Sequence, residues 1–284
     1  MLWAGCAPGD AAPEGQGAGA AGEDAAGLRL LELWAGGEPA FGIFVPDERE
    51  GEARAADGTR LPPLYTREGG RRLAANPLYD YVFLNLEGAY DEDAVRALAA
   101  GLREEDAGAR PALLVRIPPI SQDGEAAARA QVAGALANGA DGVVLPHVRS
   151  PEEARVAVGF FEQAGADVWS PDNRGGSVVA MLMVEDPGAL ATAREIADVP
   201  GYSVLACGIG SLTRALGGDR EAAEAAEAGT LGVLAHATRV GRPDMITANA
   251  EDAARRIEEG FLALLMSGSG ADDAIRVGRA AAGR

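Results

Sequence analysis

The sequence predicts a (β/α)8 barrel, and three observations predict it. Eight short apolar runs recur along the 284 residues, each followed by a segment of helical character. The runs are nearly continuous, as in Val178 to Val184, which suits parallel strands buried on both faces better than strands with one wet face. No glycine fingerprint opens the first strand–helix unit, which argues against the runner-up, a doubly wound open sheet with a dinucleotide-binding half. Composition does not shift along residues 27–284, so they read as a single barrel ending in a helix.

Met1 to Ala26 is built from Ala, Gly, Pro, Glu and Asp with few bulky side chains, a composition that cannot offset its ordering entropy, and is read as a disordered tail. Within it Trp3-Ala4-Gly5-Cys6 looks like the end of a bacterial lipoprotein signal, yet only five residues precede Cys6. Two compartments stay open: cytoplasmic if the start is complete, periplasmic or lipid-anchored if Cys6 ends a truncated signal.

The elements then follow in order. Leu28 to Ala35 has helical spacing, Phe41 to Val45 is the first strand, Asp47 to Arg60 is loop-like, and Leu64 to Leu73 is helical. Tyr81 to Leu86 is the second strand; the helix Asp91 to Arg103 has an acidic first turn that suits the helix dipole. Ala112 to Ile117 is the third strand, stopped by Pro118-Pro119, and Glu125 to Ala137 an alanine-rich helix. Gly142 to Leu145 is the fourth, followed by a helix from Ser150 to Gln163 with Ser150 and Glu153 in a capping box. Val178 to Val184 is the fifth, before a helix from Pro187 to Ala197; Tyr202 to Cys207 is the sixth, before helical segments from Arg220 to Val240. Asp244 to Ala248 and Phe261 to Ser267 are the last strands, each followed by a helix, Ala250 to Glu259 and Ala271 to Ala282.

The bulk numbers exclude several functions. A net charge of −18 argues against a nucleic-acid backbone and against anionic membranes as partners. The chain has no lysine, so it forms no Schiff base, holds no covalent pyridoxal phosphate and builds no Walker phosphate loop. Cys6 and Cys207 make no disulfide framework, and Cys207, inside a predicted strand, behaves as a small hydrophobe. No apolar stretch approaches the roughly 18 residues of a transmembrane helix.

In such barrels chemistry sits where the strands end. Arg116 ends the third strand, His147 follows the fourth, Glu185 and Asp186 follow the fifth, and Gly208-Ile209-Gly210-Ser211 follows the sixth. Arg116 either faces a ligand or pairs with Glu87 or Glu185, since a buried charge needs a partner in any case. Glu185 suits a ligand or metal contact, whereas Asp186, before Pro187, suits a helix cap. His147 is either a base of near-neutral pKa or a structural histidine, and His236 reads as surface or packing. The glycine turn either only turns or offers backbone N–H groups to a carboxylate.

Taken together, Leu84-Asn85-Leu86-Glu87-Gly88, Val115-Arg116-Ile117-Pro118, the run Gly139-Ala140-Asp141-Gly142-Val143-Val144-Leu145-Pro146-His147-Val148, Val184-Glu185 and the turn Gly208 to Ser211 resemble the HpcH/HpaI aldolase and citrate lyase β-subunit family from about Leu28 onward. The resemblance implies a metal-dependent barrel lyase making or breaking a carbon–carbon bond beside a 2-oxo acid or related carboxylate. Arg116 would steady an enolate oxygen, Glu185 would hold a divalent Mg or Mn ion, and Gly208, Ile209, Gly210 and Ser211 would cradle the carboxylate. No nicotinamide cofactor is expected. The family's second metal carboxylate falls at Ser211, its base histidine at Gly88, that histidine's aspartate at Ala137, and a glutamine at Met183. The catalytic dyad is therefore missing, which leaves His147, a metal-bound water or an unidentified group as base. It also keeps two alternatives open: a non-catalytic or regulatory carboxylate-binding barrel, and a citryl-CoA-lyase-like enzyme whose coenzyme phosphates would need the basic pair Arg71-Arg72. The family further implies a homo-oligomer, with the small residues of Ala271 to Ala282 as its interface.

Overall fold

All eight predicted strands form: β1 (Ala40–Phe44), β2 (Tyr81–Asn85), β3 (Ala112–Arg116), β4 (Gly142–Leu145), β5 (Val179–Val184), β6 (Val204–Cys207), β7 (Asp244–Thr247) and β8 (Ala263–Met266). Each pairs in parallel with its sequence neighbours, and β8 closes on β1, so the sheet is a barrel in strand order with helices between the strands. This computed structural model describes residues 25–49, 54–55, 57–59, 61–104 and 110–284. Cys6 and the tail ahead of residue 25 lie outside the described residues, as do parts of the loop before Arg67.

Strand periodicity divides the apolar residues into two cores. Tyr81, Phe83, Leu114, Val144, Met181, Met183, Val204 and Met245 point into the barrel, while Val82, Leu84, Leu113, Val115, Val143, Leu182, Leu205 and Ile246 point outward under the helices. With few aromatics to spend, the interior fills by complementation: the Tyr81 ring occupies the space where a Cβ on Gly42 would lie, across the β1–β2 register. The helix Ala25–Ala35 closes the N-terminal end of the barrel. Its Leu30, Leu31 and Trp34 join the inner core, and Trp34 Nε1 donates to Leu262 O at 2.8 Å.

Buried ion pairs rivet the same end. Arg110 is bidentate to Asp141 at 2.7 and 2.8 Å, and Asp141 Oδ2 also accepts from Leu113 N at 2.7 Å. Asp80 accepts from Phe41 N at 2.9 Å and pairs with Arg279 and Arg284 of the C-terminal segment at 2.9 and 3.3 Å.

The helices depart from expectation where local chemistry intervenes. The helix expected from Leu64 starts at Arg67, capped by Thr66 Oγ1 on Gly69 N, because the N–H groups of Leu64 and Thr66 are taken by Asp47 and Glu48 of the preceding loop. Pro187 to Ala197 splits into two short helices around Thr192, the glycine turn after β6 opens a helix over Ile209–Ala215, and Arg220–Arg239 is a single helix. In the C-terminal helix, Ala271–Ala281, the residues Ala271, Ala274 and Gly278 are buried against the chain's own barrel, where a Cβ on Gly278 would overlap the Phe41 ring, while Ala280 and Ala281 are exposed.

Candidate active site

The C-terminal ends of β2 to β5 bring six charged or polar side chains together. Inward parity along β2 carries Tyr81, Phe83 and then Asn85 to the barrel mouth, and Arg116 reaches the same level at the end of β3, in register with Asn85. Arg116 Nε donates to Asn85 Oδ1 at 2.8 Å, Nη2 pairs with Glu87 Oε2 at 2.6 Å, and Nη1 stands 3.8 Å from Glu185 Oε1. The guanidinium lies 5.8 Å from the Phe83 ring centre, and Nη1 is 3.9 Å from the sulfur of Met183, the residue at the family's glutamine position. Of the two sequence readings of Arg116, the ion pair is present, and it lies at the open end of the barrel.

Glu185, just beyond β5, is only 2% exposed. Burial pushes its carboxyl pKa up, while Arg116 and His147 pull it back down. The place where a Cβ on Gly208 would stand is filled by the Glu185 carboxyl group, so this glycine is required by close approach. The hydrogen bond from His147 pulls the Glu87 pKa below the usual range, with help from the charge of Arg116.

His147 has a positive φ of 52°, which no other non-glycine residue among those described shares. That backbone turns its N–H toward Glu185 Oε2 at 3.3 Å. The ring sits among three carboxylates: Nε2 is 3.2 Å from Glu87 Oε1 and 3.7 Å from Glu185 Oε2, and Nδ1 is 3.1 Å from Asp186 Oδ2. The hydrogen bond to Glu87 first, then the charges of Glu185 and Asp186, push its pKa up to about 9 against the cost of burial. Without a metal, that pKa keeps the ring protonated at neutral pH; the sequence left it as a base or a structural histidine. Asp186 departs from expectation: it stands at the N-cap of Pro187–Ala191, but its side chain makes no cap hydrogen bond and orients His147 instead.

A cavity of about 200 Å³ opens beside Arg116 and Glu185, lined by these two, the segment Gly208 to Ser211, Arg214 and Thr247 above an apolar floor that includes Phe44 and Leu265; His147, Glu87 and Asp186 do not line it. Helix geometry leaves the N–H groups of Ile209, Gly210 and Ser211 without intrahelical acceptors at its edge. Of the family positions that diverge here, Gly88 follows Glu87 with nothing within 4 Å of a Cβ placed on it. Ala137 ends the helix that leads into β4, so it lies at the opposite end of the barrel, away from this cavity.

A divalent cation fits the donor set, though through different partners from those the resemblance implies. Oxygen atoms of Glu87 and Glu185 and a ring nitrogen of His147 lie within 4.8 Å of one another. Ser211 lines the cavity, and Glu87 is a second carboxylate within reach of such an ion. Two carboxylates with an imidazole suit first-row ions such as Mn²⁺ better than Mg²⁺, which prefers oxygen throughout.

A closed barrel with arginine, carboxylates and a histidine converging at its C-terminal mouth is the frame of a barrel enzyme. The chain belongs to the HpcH/HpaI aldolase/citrate lyase family, whose profile matches residues 72–271. Its fold is shared with the HpcH/HpaI aldolase from Desulfitobacterium hafniense (21% identity, TM-score 0.62, 84% of this chain and 89% of that one). It is also shared with an HpcH/HpaI aldolase/citrate lyase family protein from Burkholderia cenocepacia (23%, 0.62, 89% and 96%). The citrate lyase β-subunit of M. tuberculosis, determined with oxaloacetate and magnesium, matches at 20% identity and TM-score 0.55 over 86% and 96% of the chains. No curated protein matches.

Proposed function

We propose that the chain is a carbon–carbon lyase that acts on a 2-oxo acid or related carboxylate through an enolate. The observation that carries this reading is the meeting of Arg116 and Glu185 at 3.8 Å over an open cavity at the catalytic end of the barrel. The substrate carboxylate lies against the N–H groups of Ile209 to Ser211, and its 2-oxo oxygen faces Arg116, whose fixed charge stabilises the enolate oxygen as the bond breaks. Asn85 and Glu87 hold that guanidinium in one orientation, so little reorganisation accompanies the charge change. A divalent cation held by Glu185 and Glu87, with the protonated His147 outside its coordination, would supply Lewis acidity at the same oxygen. His147, charged and oriented by Asp186, returns a proton to the enolate carbon, and its 3.2 Å contact with Glu87 gives the proton released by the cleaved alcohol a route back to the ring.

The test is proton exchange at the methyl group of pyruvate in D₂O, followed by NMR with Mn²⁺ or Mg²⁺. The reading expects exchange in the wild type and loss of it in Arg116→Gln; no exchange with either metal overturns it. A second reading, a carboxylate-binding barrel without catalysis, is favoured by the full engagement of Arg116 and by Ser211 at the family's metal position, and it expects binding without exchange. The thioester reading has less support: Arg71 pairs with Glu68 and Glu104, and Arg72 with Glu48 and Glu68, so the basic pair is already neutralised. The homo-oligomer implied by the family would not use the buried face of Ala271, Ala274 and Gly278.

A further inference from the structure

A larger cavity lies beside the site just described. It is a groove of about 840 Å³, against about 200 Å³ for the cavity beside Arg116, and it runs between the segment before the helix Arg67–Ala74 and the loop that joins β2 to the helix Glu92–Leu102. Small-molecule sites span about 300–1,000 Å³. Leu61, Pro62, Pro63, Leu86, Tyr65 and Tyr90 give it an apolar and aromatic lining. Gly88 lines it too, and a Cβ there would meet nothing within 4 Å, so this part of the groove is open space. The rim is acidic. Asp91, Glu92 and Asp93 stand against one basic residue, Arg96, which is already engaged by Glu92 at 2.9 Å, by Asp93 and by Asn138 at 3.0 Å. Acids in a first turn suit the helix dipole, and Asp91 caps its helix by accepting from Ala94 N at 3.0 Å. Its carboxylate nevertheless has no cationic partner among the described residues. The two phenols respond to this field. Burial first, then the charges of Asp47 and Asp91, raise the Tyr65 pKa; burial first, then Glu92 and Asp91 against the opposing Arg96, push that of Tyr90 up to about 12. Asp91 acts on both rings, so its charge is felt across the groove. Aromatic faces attract cations in their own right.

We infer that this groove is a second ligand site, for a small molecule with an apolar or aromatic body and an ammonium end, held by Tyr65, Tyr90 and Asp91. The charge that suits it is opposite to that of the acid proposed for the cavity beside Arg116. The groove shares only Asn85 with the charged cluster, through the 2.8 Å hydrogen bond that Asn85 Oδ1 accepts from Arg116 Nε. A ligand here therefore lies at the edge of the catalytic mouth without filling it. The inference does not depend on the lyase reading.

The test compares two probes that share an indole on a two-carbon arm and differ at its end: tryptamine, a cation, and tryptophol, which is neutral. Ligand-detected NMR at low salt gives dissociation constants for wild type, Asp91→Asn, Gly88→Leu and Asp273→Asn, with thermal melts to confirm folding. Asn still caps a helix, and Gly88 has neither a positive φ nor a neighbour at its Cβ, so both groove variants are compatible with the fold. Wild type is expected to bind tryptamine roughly fivefold or more tighter than tryptophol. Asp91→Asn should weaken tryptamine by roughly three- to fivefold and tryptophol by less than about twofold. Gly88→Leu, which puts a side chain into the open part of the groove, should weaken both by roughly tenfold. Asp273→Asn removes an exposed acid from the C-terminal helix and should change neither. Equal losses of tryptamine in Asp91→Asn and Asp273→Asn would mean attraction to net charge alone. Binding untouched by Gly88→Leu would place the probes elsewhere, and a wild type without preference for tryptamine would leave the acidic rim without a role. Each of these results overturns the inference. None of them bears on methyl exchange with pyruvate, so this inference and the lyase reading stand or fall separately.

Discussion

Glu185 and Gly208 form a pair in which each residue dictates the other. The carboxylate occupies the volume a side chain at 208 would need, so Gly208→Ala must push it from its place beside Arg116 and His147. We expect this one-carbon change to weaken Mn²⁺ affinity, read by calorimetry, by at least tenfold while leaving the melting temperature within a few degrees, since the strain falls on one side chain at the cavity edge. His147 offers a second test at this scale. Its raised pKa depends on Glu87 more than on Asp186, so NMR titration of the metal-free protein should find it near 9 in the wild type, lower in Asp186→Asn and lowest in Glu87→Gln. Stability follows with a definite sign. A histidine whose folded pKa exceeds its unfolded value stabilises the fold fully below about 6.5 and loses that contribution as pH rises through about 9. Arg116, Glu185 and His147 were legible in the sequence because each is a polar residue closing an apolar strand. Asn85 could have been found by the same logic, as the third inward position of β2. The role of Asp186 could not: Asp before Pro reads as a cap, and only the position of the His147 ring shows that its side chain is used elsewhere.

Among the elements, the strands were the most legible, since burial on both faces leaves an unbroken apolar run between glycine or proline breaks. The helices were less so. Capped ones, at Asp91, Ser150 and Asp219, announce themselves by a side chain that accepts from an N–H three residues on. The helix over Ile209–Ala215 has no such cap and starts among glycines, so it read as a turn, and Arg214 went unnoticed on it. Longer helices lock together through charge. Glu227, on Arg220–Arg239, binds Arg256 at 2.6 and 2.8 Å and Arg255 at 2.6 Å, both on the helix Ala253–Glu259. The hydrogen bonds from Arg256 first, then those from Arg255, pull the Glu227 pKa to about 2. Its contribution is present above the ordinary carboxylate pKa and is lost as pH falls from 4.5 toward 2. With the pair partly exposed, screening reduces it to about 1 kcal/mol. Urea unfolding at pH 6 and pH 3 should show Glu227→Gln less stable than wild type at the higher pH and closer to it at the lower. An equal gap at both would mean that packing, not charge, joins these helices.

At the scale of the whole molecule, the barrel assigns different work to its two ends. The buried ion pairs of the N-terminal end, Arg110 with Asp141 and Asp80 with Arg279, satisfy one another and their neighbouring backbone groups. The cluster at the C-terminal end is arranged otherwise: Arg116 faces more than one carboxylate, His147 faces three, and the arrangement borders a cavity into which Arg214 brings an unspent charge. If this division is real, damage to one end should leave the other unmoved. Asp141→Ala removes the carboxylate that the Arg110 guanidinium grips from both sides, at a side chain that is 1% exposed, and removes an acceptor from Leu113 N. Breaking a buried pair from one side costs about 3–5 kcal/mol, which for a domain of this size corresponds to a melting temperature lower by roughly 6–15 °C. The same variant, held well below its melting point, should bind Mn²⁺ within about twofold of wild type. Gly208→Ala should do the reverse, keeping its melting temperature within a few degrees and losing Mn²⁺ affinity. A large affinity change in Asp141→Ala would show that the ends communicate through the strands, and the fold would then be a tuned part of the site and not only its support.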